Sequence, residues 1–274
     1  MGSDYEPASL DGNLPGQSAI IELLRLHDGA PSRSAPARLF GVAPLCAERK
    51  LWFDAALSEI EVGEALARLG PAWTVLHALP VGTGTSDIDH VAIGPGGVFI
   101  VNTKNHTGQT VWASQRAFLV SGIRHPHIRN MEYEMGRAER LIGSAAGMPV
   151  EVVGVLAIVA AKSITVREKH RDVTVLATGE LVDWLGARPH VLGREQVEAI
   201  STAAIRGTTW HYEARPVDDP ADLYERFDAV RAEVRQAARR QTLWAAGMTL
   251  VGVGAFVLVT YSILLNALAA LASP

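Results

Sequence analysis

The sequence predicts a mixed α/β domain, a sheet flanked by helices, followed by one apolar helix long enough to cross a bilayer. Three features carry that expectation. Short β-branched runs alternate with stretches of helical periodicity between residues 47 and 205. Gly94-Pro95-Gly96-Gly97 separates two of those runs as a hairpin loop would. Residues 243–272 run for thirty positions without a charge, whereas about 20 apolar residues span a membrane.

Taken in order, residues 1–44 carry Gly, Pro and Ser in runs such as Gly29-Ala30-Pro31-Ser32. They read as a poorly ordered arm with a short helix near 18–27. Leu51, Ala55, Ile60, Leu66 and Leu69 then recur at roughly helical spacing until Gly70-Pro71 stops the helix. A strand is expected at 73–79, a turn at 81–85, and strands at 88–93 and 98–103 on either side of the glycine-rich loop. A run at 110–112 extends this meander, with a further short strand at 116–120. Met131, Met135, Ala138 and Leu141-Ile142 mark a helix over 128–142. The near-continuous apolar run 151–161 suits a strand buried on both faces. A strand at 173–177 and helices at 180–185 and 194–205 complete the α/β domain, assigned to residues 45–215. An amphipathic basic linker helix (216–242) and a transmembrane helix (243–272) follow.

Composition narrows the function. Hydrophobic residues make up 48% of the 274, an excess that the C-terminal stretch accounts for. The net charge of −4 excludes a global basic field, so any nucleic-acid contact has to be local. Cys46 is the only cysteine, which excludes an intramolecular disulfide framework and a cysteine zinc site. The first residues lack the basic-then-apolar order of a secretion signal. Arg231, Arg235, Arg239 and Arg240 precede the apolar stretch. By the positive-inside rule they predict a single-pass cell-membrane protein, with the lipid bilayer as partner and the soluble domain cytoplasmic.

The chemistry lies in Asp87-Ile88-Asp89-His90 and, after the hairpin loop, Asn102-Thr103-Lys104-Asn105. Alternation puts Asp87 and Asp89 on one face of the first strand, and Asn102 and Lys104 on one face of the second. Pairing through the loop lets those faces coincide. Polar groups among Val, Ile and Phe cost free energy unless solvated or paired, so such a cluster is either a site or a salt-bridged edge. Phosphodiester hydrolysis would give it a purpose. A hard cation held by carboxylates activates water, and a lysine orients that water or screens the phosphate.

The spacing Asp89, thirteen residues on to Asn102, then Lys104, resembles the PD-(D/E)XK nuclease signature. With Gly63-Glu64, Asp87-Ile88-Asp89-His90, Gly94-Pro95-Gly96-Gly97-Val98-Phe99, Asn102-Thr103-Lys104 and Gly108, the chain is similar to the nuclease-related domain (NERD) family of that superfamily over about residues 58–145. The resemblance implies a restriction-endonuclease-like core acting on DNA or RNA with Mg²⁺ or Mn²⁺. It assigns Asp89, Glu64 and Asn102 to the metal, Lys104 to water or phosphate, and a supporting role to Asn130 and Glu134 on the later helix. The signature wants Asp or Glu where this chain has Asn102, which brings no charge. A non-catalytic, membrane-anchored nucleic-acid-binding or signalling scaffold is the competing expectation, and a protein-interaction adaptor a third. His90 is expected to pack on the face opposite Asp89, and His106, His125 and His127 lack a carboxylate or cysteine at zinc-ligand spacing. Arg129, Arg137 and Arg140 form either a local basic face or an ordinary solvated helix surface.

Overall fold

The computed structural model describes residues 9–80, 87–168, 170–210 and 220–271. The turn expected at 81–85 and the start of the linker helix at 216 lie outside them.

A five-stranded sheet forms the centre. It is built from β1 (Thr74–Pro80), β2 (Asp87–Gly94), β3 (Gly97–Asn105), β7 (Val152–Val159) and β9 (Val173–Ala177), adjacent in that order. β1, β2 and β3 form the antiparallel meander, and Gly94 pairs with Gly97 across the expected hairpin loop. β3, β7 and β9 run parallel. The parallel strand β7 is buried along nearly its whole length, which explains its unbroken apolar sequence.

Helices cover both faces. On one side α3 (Ala47–Leu66) lays Val62 and Leu66 against Ala92, Phe99, Val101, Val155 and Ala157, with Leu181 and Leu185 of α5 (Leu181–Gly186) beside them. On the other, α4 (His127–Ala146) contributes Met131, Met135, Ala138 and Ile142, the i, i+4, i+7, i+11 stripe of an amphipathic helix. Ile200 and Ala204 of α6 (Arg194–Ile205) join that core, as does the fully buried Trp210, whose Nε1–H donates to the Ala204 carbonyl at 2.8 Å.

The expected extension of the meander does not occur. β4 (Thr110–Ala113) enters a second, four-stranded sheet with β5 (Phe118–Val120), β6 (Ile123–His125) and β8 (Ser163–Val166), in the order β6-β5-β4-β8. The reason is that β2 and β7 occupy both edges of β3, so the chain has no edge to extend there. Gly108, at φ +71°, helps turn it away. β6 and β8 are short and mostly exposed, and carry little apolar signal.

Within the N-terminal arm, residues 17–28 are packed rather than loose. α1 (Gln17–Asp28) buries Ala19, Ile20, Leu23 and Leu24 against Phe53 and Ala56 of α3. The same cluster takes Leu223, Phe227 and Val230 from α7 (Pro220–Leu271). These four buried positions of α1 follow i, i+1, i+4, i+5, a helical stripe that short flanking Gly and Pro runs obscure in the sequence. A short helix, α2 (Ala35–Phe40), follows. The basic linker and the apolar stretch are therefore one 52-residue helix, docked by its first half. Its apolar part has a mean hydropathy of 2.2 with none of that window buried, and is long enough to cross a membrane.

Phe227 sits 5.7 Å, centroid to centroid, from Phe53 and is fully buried. Phe227→Ala is expected to destabilise the fold by about 3–5 kcal/mol in chemical denaturation. Hydrogen exchange should rise in α1 as well as α7. Unchanged exchange in α1 would contradict the shared cluster.

Candidate active site

The site forms where β2 and β3 part. Their ladder runs from Gly94 and Gly97 as far as His90 opposite Val101, and stops. Carried one and three residues further, the same register faces Asp89 with Asn102 and Asp87 with Lys104, all on the face toward α4. In place of the next ladder bond, the backbone N–H of Thr103 donates to Asp89 Oδ2 at 2.6 Å. β7 meanwhile stays paired along β3 as far as Asn105. The end of β3 is thus held rigidly from one side and capped by a carboxylate from the other.

A polar chain crosses the site. Lys104 Nζ donates to Asn102 Oδ1 at 3.0 Å, and Asn102 Nδ2 donates to Glu134 Oε2 of α4 at 2.8 Å. The Asn102 amide is therefore a relay between a cation and an anion, its donor and acceptor ends both used. Asn105, just beyond, donates to Ser58 Oγ on α3 at 2.8 Å, tying the end of β3 to the opposite helix layer.

Burial works against the charge of every acid here. Burial raises Asp89 to about 6, opposed by Lys104 and by the Thr103 N–H. Burial, then the neighbouring Asp89, raises Glu134 to about 7, while Lys104 and the Asn102 amide pull it down. Glu59 of α3 lies well above the carboxylate range, through burial and the charges of Asp89 and Asp87. Asp87 is raised by burial and held back by a hydrogen bond from Ser18 of α1. Three of these carboxylates, Asp89, Glu134 and Glu59, feel the charge of Lys104, and the charge of Asp89 in turn raises Glu134 and Glu59.

The structure brings Asp89, Asn102 and Lys104 together, and adds Asp87 and Glu134. It does not bring Glu64. That side chain is exposed on α3, and its charge is felt at Tyr224 of α7. Glu59, in line with the Val62, Gly63 and Leu66 stripe of α3, is instead the helical acid that feels the charges of Asp89, Asp87 and Lys104. Glu64 falls outside that stripe. Asn130 is exposed near the start of α4. Glu134 lies between Met131 and Ala138 on the buried side of α4, so the same periodicity marks it.

Five histidines near the site divide between two places. His90, fully buried, points away from the site, with its Nδ1 2.8 Å from Nδ1 of His77 on β1. Burial lowers His77 to about 4. The rings of His106, His125 and His127 gather at centroid distances of 5.1 to 6.1 Å. Burial, and then Lys104, brings His127 down to about 3. Among the described residues, no three His, Cys, Asp or Glu side chains stand close enough together to enclose a metal ion as they are.

Residues 55–159 match the family model of the nuclease-related domain, NERD. The matched stretch contains Glu59, Asp87, Asp89, Asn102, Lys104 and Glu134. No curated protein and no solved structure matches the chain.

A carboxyl raised in the folded state binds its proton more tightly there than in the unfolded chain, so its contribution is complete below the unfolded value and lost as pH rises through the folded one. For Glu134 that window runs from its ordinary 4.5 to about 7. In metal-free buffer, wild-type stability should fall between pH 5 and pH 8 more steeply than that of Glu134→Gln. Parallel urea midpoints for the two proteins across this range would contradict the buried-acid assignment.

Proposed function

We propose that the protein is a membrane-anchored, metal-dependent nuclease that hydrolyses phosphodiesters of DNA or RNA at the cytoplasmic face of the cell membrane. What supports this reading above all is the surplus of buried carboxylates around Lys104, within the stretch that matches the nuclease-related domain. Hard oxygen donors and uncompensated negative charge fit Mg²⁺ or Mn²⁺ better than any softer ion. Asp89 and Glu59 are the anionic groups that would hold it, with water completing a shell that needs few protein ligands. Asn102 offers a neutral oxygen that is at present bonded to Lys104. When bound, the cation supplies activation of water and neutralisation of charge on the phosphate.

Each residue then has a definite task. Lys104 Nζ, at the mouth of the hairpin, presents a positive charge to the phosphate and a donor to the attacking water. Glu134, raised to about 7, exchanges a proton with water near neutral pH, as a general base needs. Thr103 N–H fixes one oxygen of Asp89 and so aims the other. Arg231, Arg235, Arg239 and Arg240 just before the uncharged stretch of α7 favour a cytoplasmic position for this domain.

The Asn102 amide, bonded at both ends, also favours a second reading: a scaffold that binds nucleic acid without cutting it. The full chain in detergent, assayed with Mg²⁺ and Mn²⁺ on single- and double-stranded DNA and RNA, separates the two. Cleavage is expected to need metal and to fall about 10²-fold or more in Lys104→Ala and Asp89→Ala. Glu59→Gln should lower it, whereas Glu64→Gln should leave it unchanged. Salt-sensitive binding with no cleavage by the wild type or by Asn102→Asp would establish the scaffold instead.

A further inference from the structure

α2 buries none of its residues, yet it is held firmly against α7. Ser34 caps its start, accepting from the Ala37 N–H at 3.3 Å. At its end Gly41, at φ +71°, lets the two backbones touch, since a Cβ there would collide with the Ala237 carbonyl and the Gln241 nitrogen. Arg240 donates to the Arg38 carbonyl at 2.6 Å, and Trp244 Nε1–H to the Leu39 carbonyl at 3.0 Å. The rings of Phe40 and Trp244 lie 5.0 Å apart. Further back, Arg33 pairs with Glu233 at 3.1 Å. These contacts fix α2 beside the turn of α7 where the uncharged stretch begins at Leu243.

What α2 presents outward suits a bilayer surface better than water. Leu39, Phe40 and Val42 are 56%, 49% and 56% exposed, next to Leu243 at 71%. An apolar patch rimmed by arginines, with a tryptophan at the junction, is the pattern of an interfacial segment. The charge is one-sided as well. No acidic residue occurs between Asp28 and Glu48, or anywhere after Glu233. Among the described residues neither Arg38 nor Arg240 is in an ion pair. Between α2 and α7 lies a groove of about 610 Å³, lined by Ala35, Arg38, Leu39, Arg240, Leu243, Trp244 and Gly247.

We propose that this groove seats an anionic phospholipid, its phosphate between the Arg38 and Arg240 guanidiniums and its acyl chains along Leu39, Leu243 and Gly247. α2 then rests in the headgroup layer as a second membrane contact, setting the distance and tilt of the nuclease-related domain above the bilayer. The inference rests on α7 spanning the membrane, and is independent of whether the domain cuts nucleic acid.

Native mass spectrometry of the full chain, released from micelles containing equal amounts of phosphatidylglycerol and phosphatidylcholine, tests it. The wild type should retain phosphatidylglycerol preferentially. Arg38→Gln with Arg240→Gln should lower that preference about tenfold or more. Arg38→Gln alone, which removes no bond that holds α2, should give part of the loss, while Arg194→Gln on α6 should give none. Equal retention of the two lipids, or an undiminished preference in the double variant, overturns the seat. Carbonate extraction of the chain from vesicles distinguishes the underlying reading: a chain washed off by carbonate overturns the span and the seat together, whereas a chain that stays inserted without lipid preference overturns the seat alone.

Discussion

A backbone N–H at the parted end of two strands needs an acceptor, and here Asp89 supplies it. Had the β2–β3 ladder continued beyond His90 and Val101, the Thr103 amide would have met a neighbouring carbonyl. Instead it meets a carboxylate at 2.6 Å, which fixes an anion at the centre of the domain. The rest of the site assembles around that charge. Lys104 offsets it, Asn102 passes the lysine's hydrogen bonding on to Glu134, and Glu59 closes the cluster from the other helix layer. Because β7 grips β3 through Asn105, the acceptor cannot be replaced by a simple shift of the strand.

The support of this site extends to the long C-terminal helix α7. Ser18 of α1 bonds Asp87, and α1 shares its apolar cluster with Phe53 of α3 and Phe227 of α7. Tyr224 of α7 donates to the Pro15 carbonyl at 2.7 Å, and Arg226 pairs with Asp28 at 2.6 Å. A helix that leaves the domain through a buried cluster transmits its orientation to that cluster. The acids at the hairpin and the docked first half of α7 thus belong to one packed body.

Much of the domain was legible beforehand, and the misses share a cause. β9 and α6 fall on their expected residues, and β1, β2, β3, α3, α4 and β7 lie within a few residues of them, because each carries a strong apolar period. The second sheet was not legible, since whether β4 extends the meander depends on who occupies the edge of β3, and β7 reaches it from some fifty residues downstream. The packed arm escaped for a related reason: the apolar partners of α1 lie partly on α7, two hundred residues away. At the site, Asp89, Asn102 and Lys104 followed from alternation along paired strands, whereas the helical acid was placed at Glu64 from the family-like Gly63-Glu64 pair. Glu59, rather than the exposed Glu64, lies in line with the buried Val62, Gly63 and Leu66 of α3.

By itself the chain's alphabet settled the strong local periods: the strands of the central sheet, the helices that cover it, which side of the hairpin carries charge, and that the last helix is apolar. Those follow from short-range sterics and from the exclusion of apolar surface from water, both of which act within a few residues. Which acids gather round Lys104, which strand takes the edge of β3, and how α1, α2 and α7 clasp one another came from packing between distant segments. A buried charge or an open strand edge finds its partner by position in space, and sequence spacing carries no record of that position.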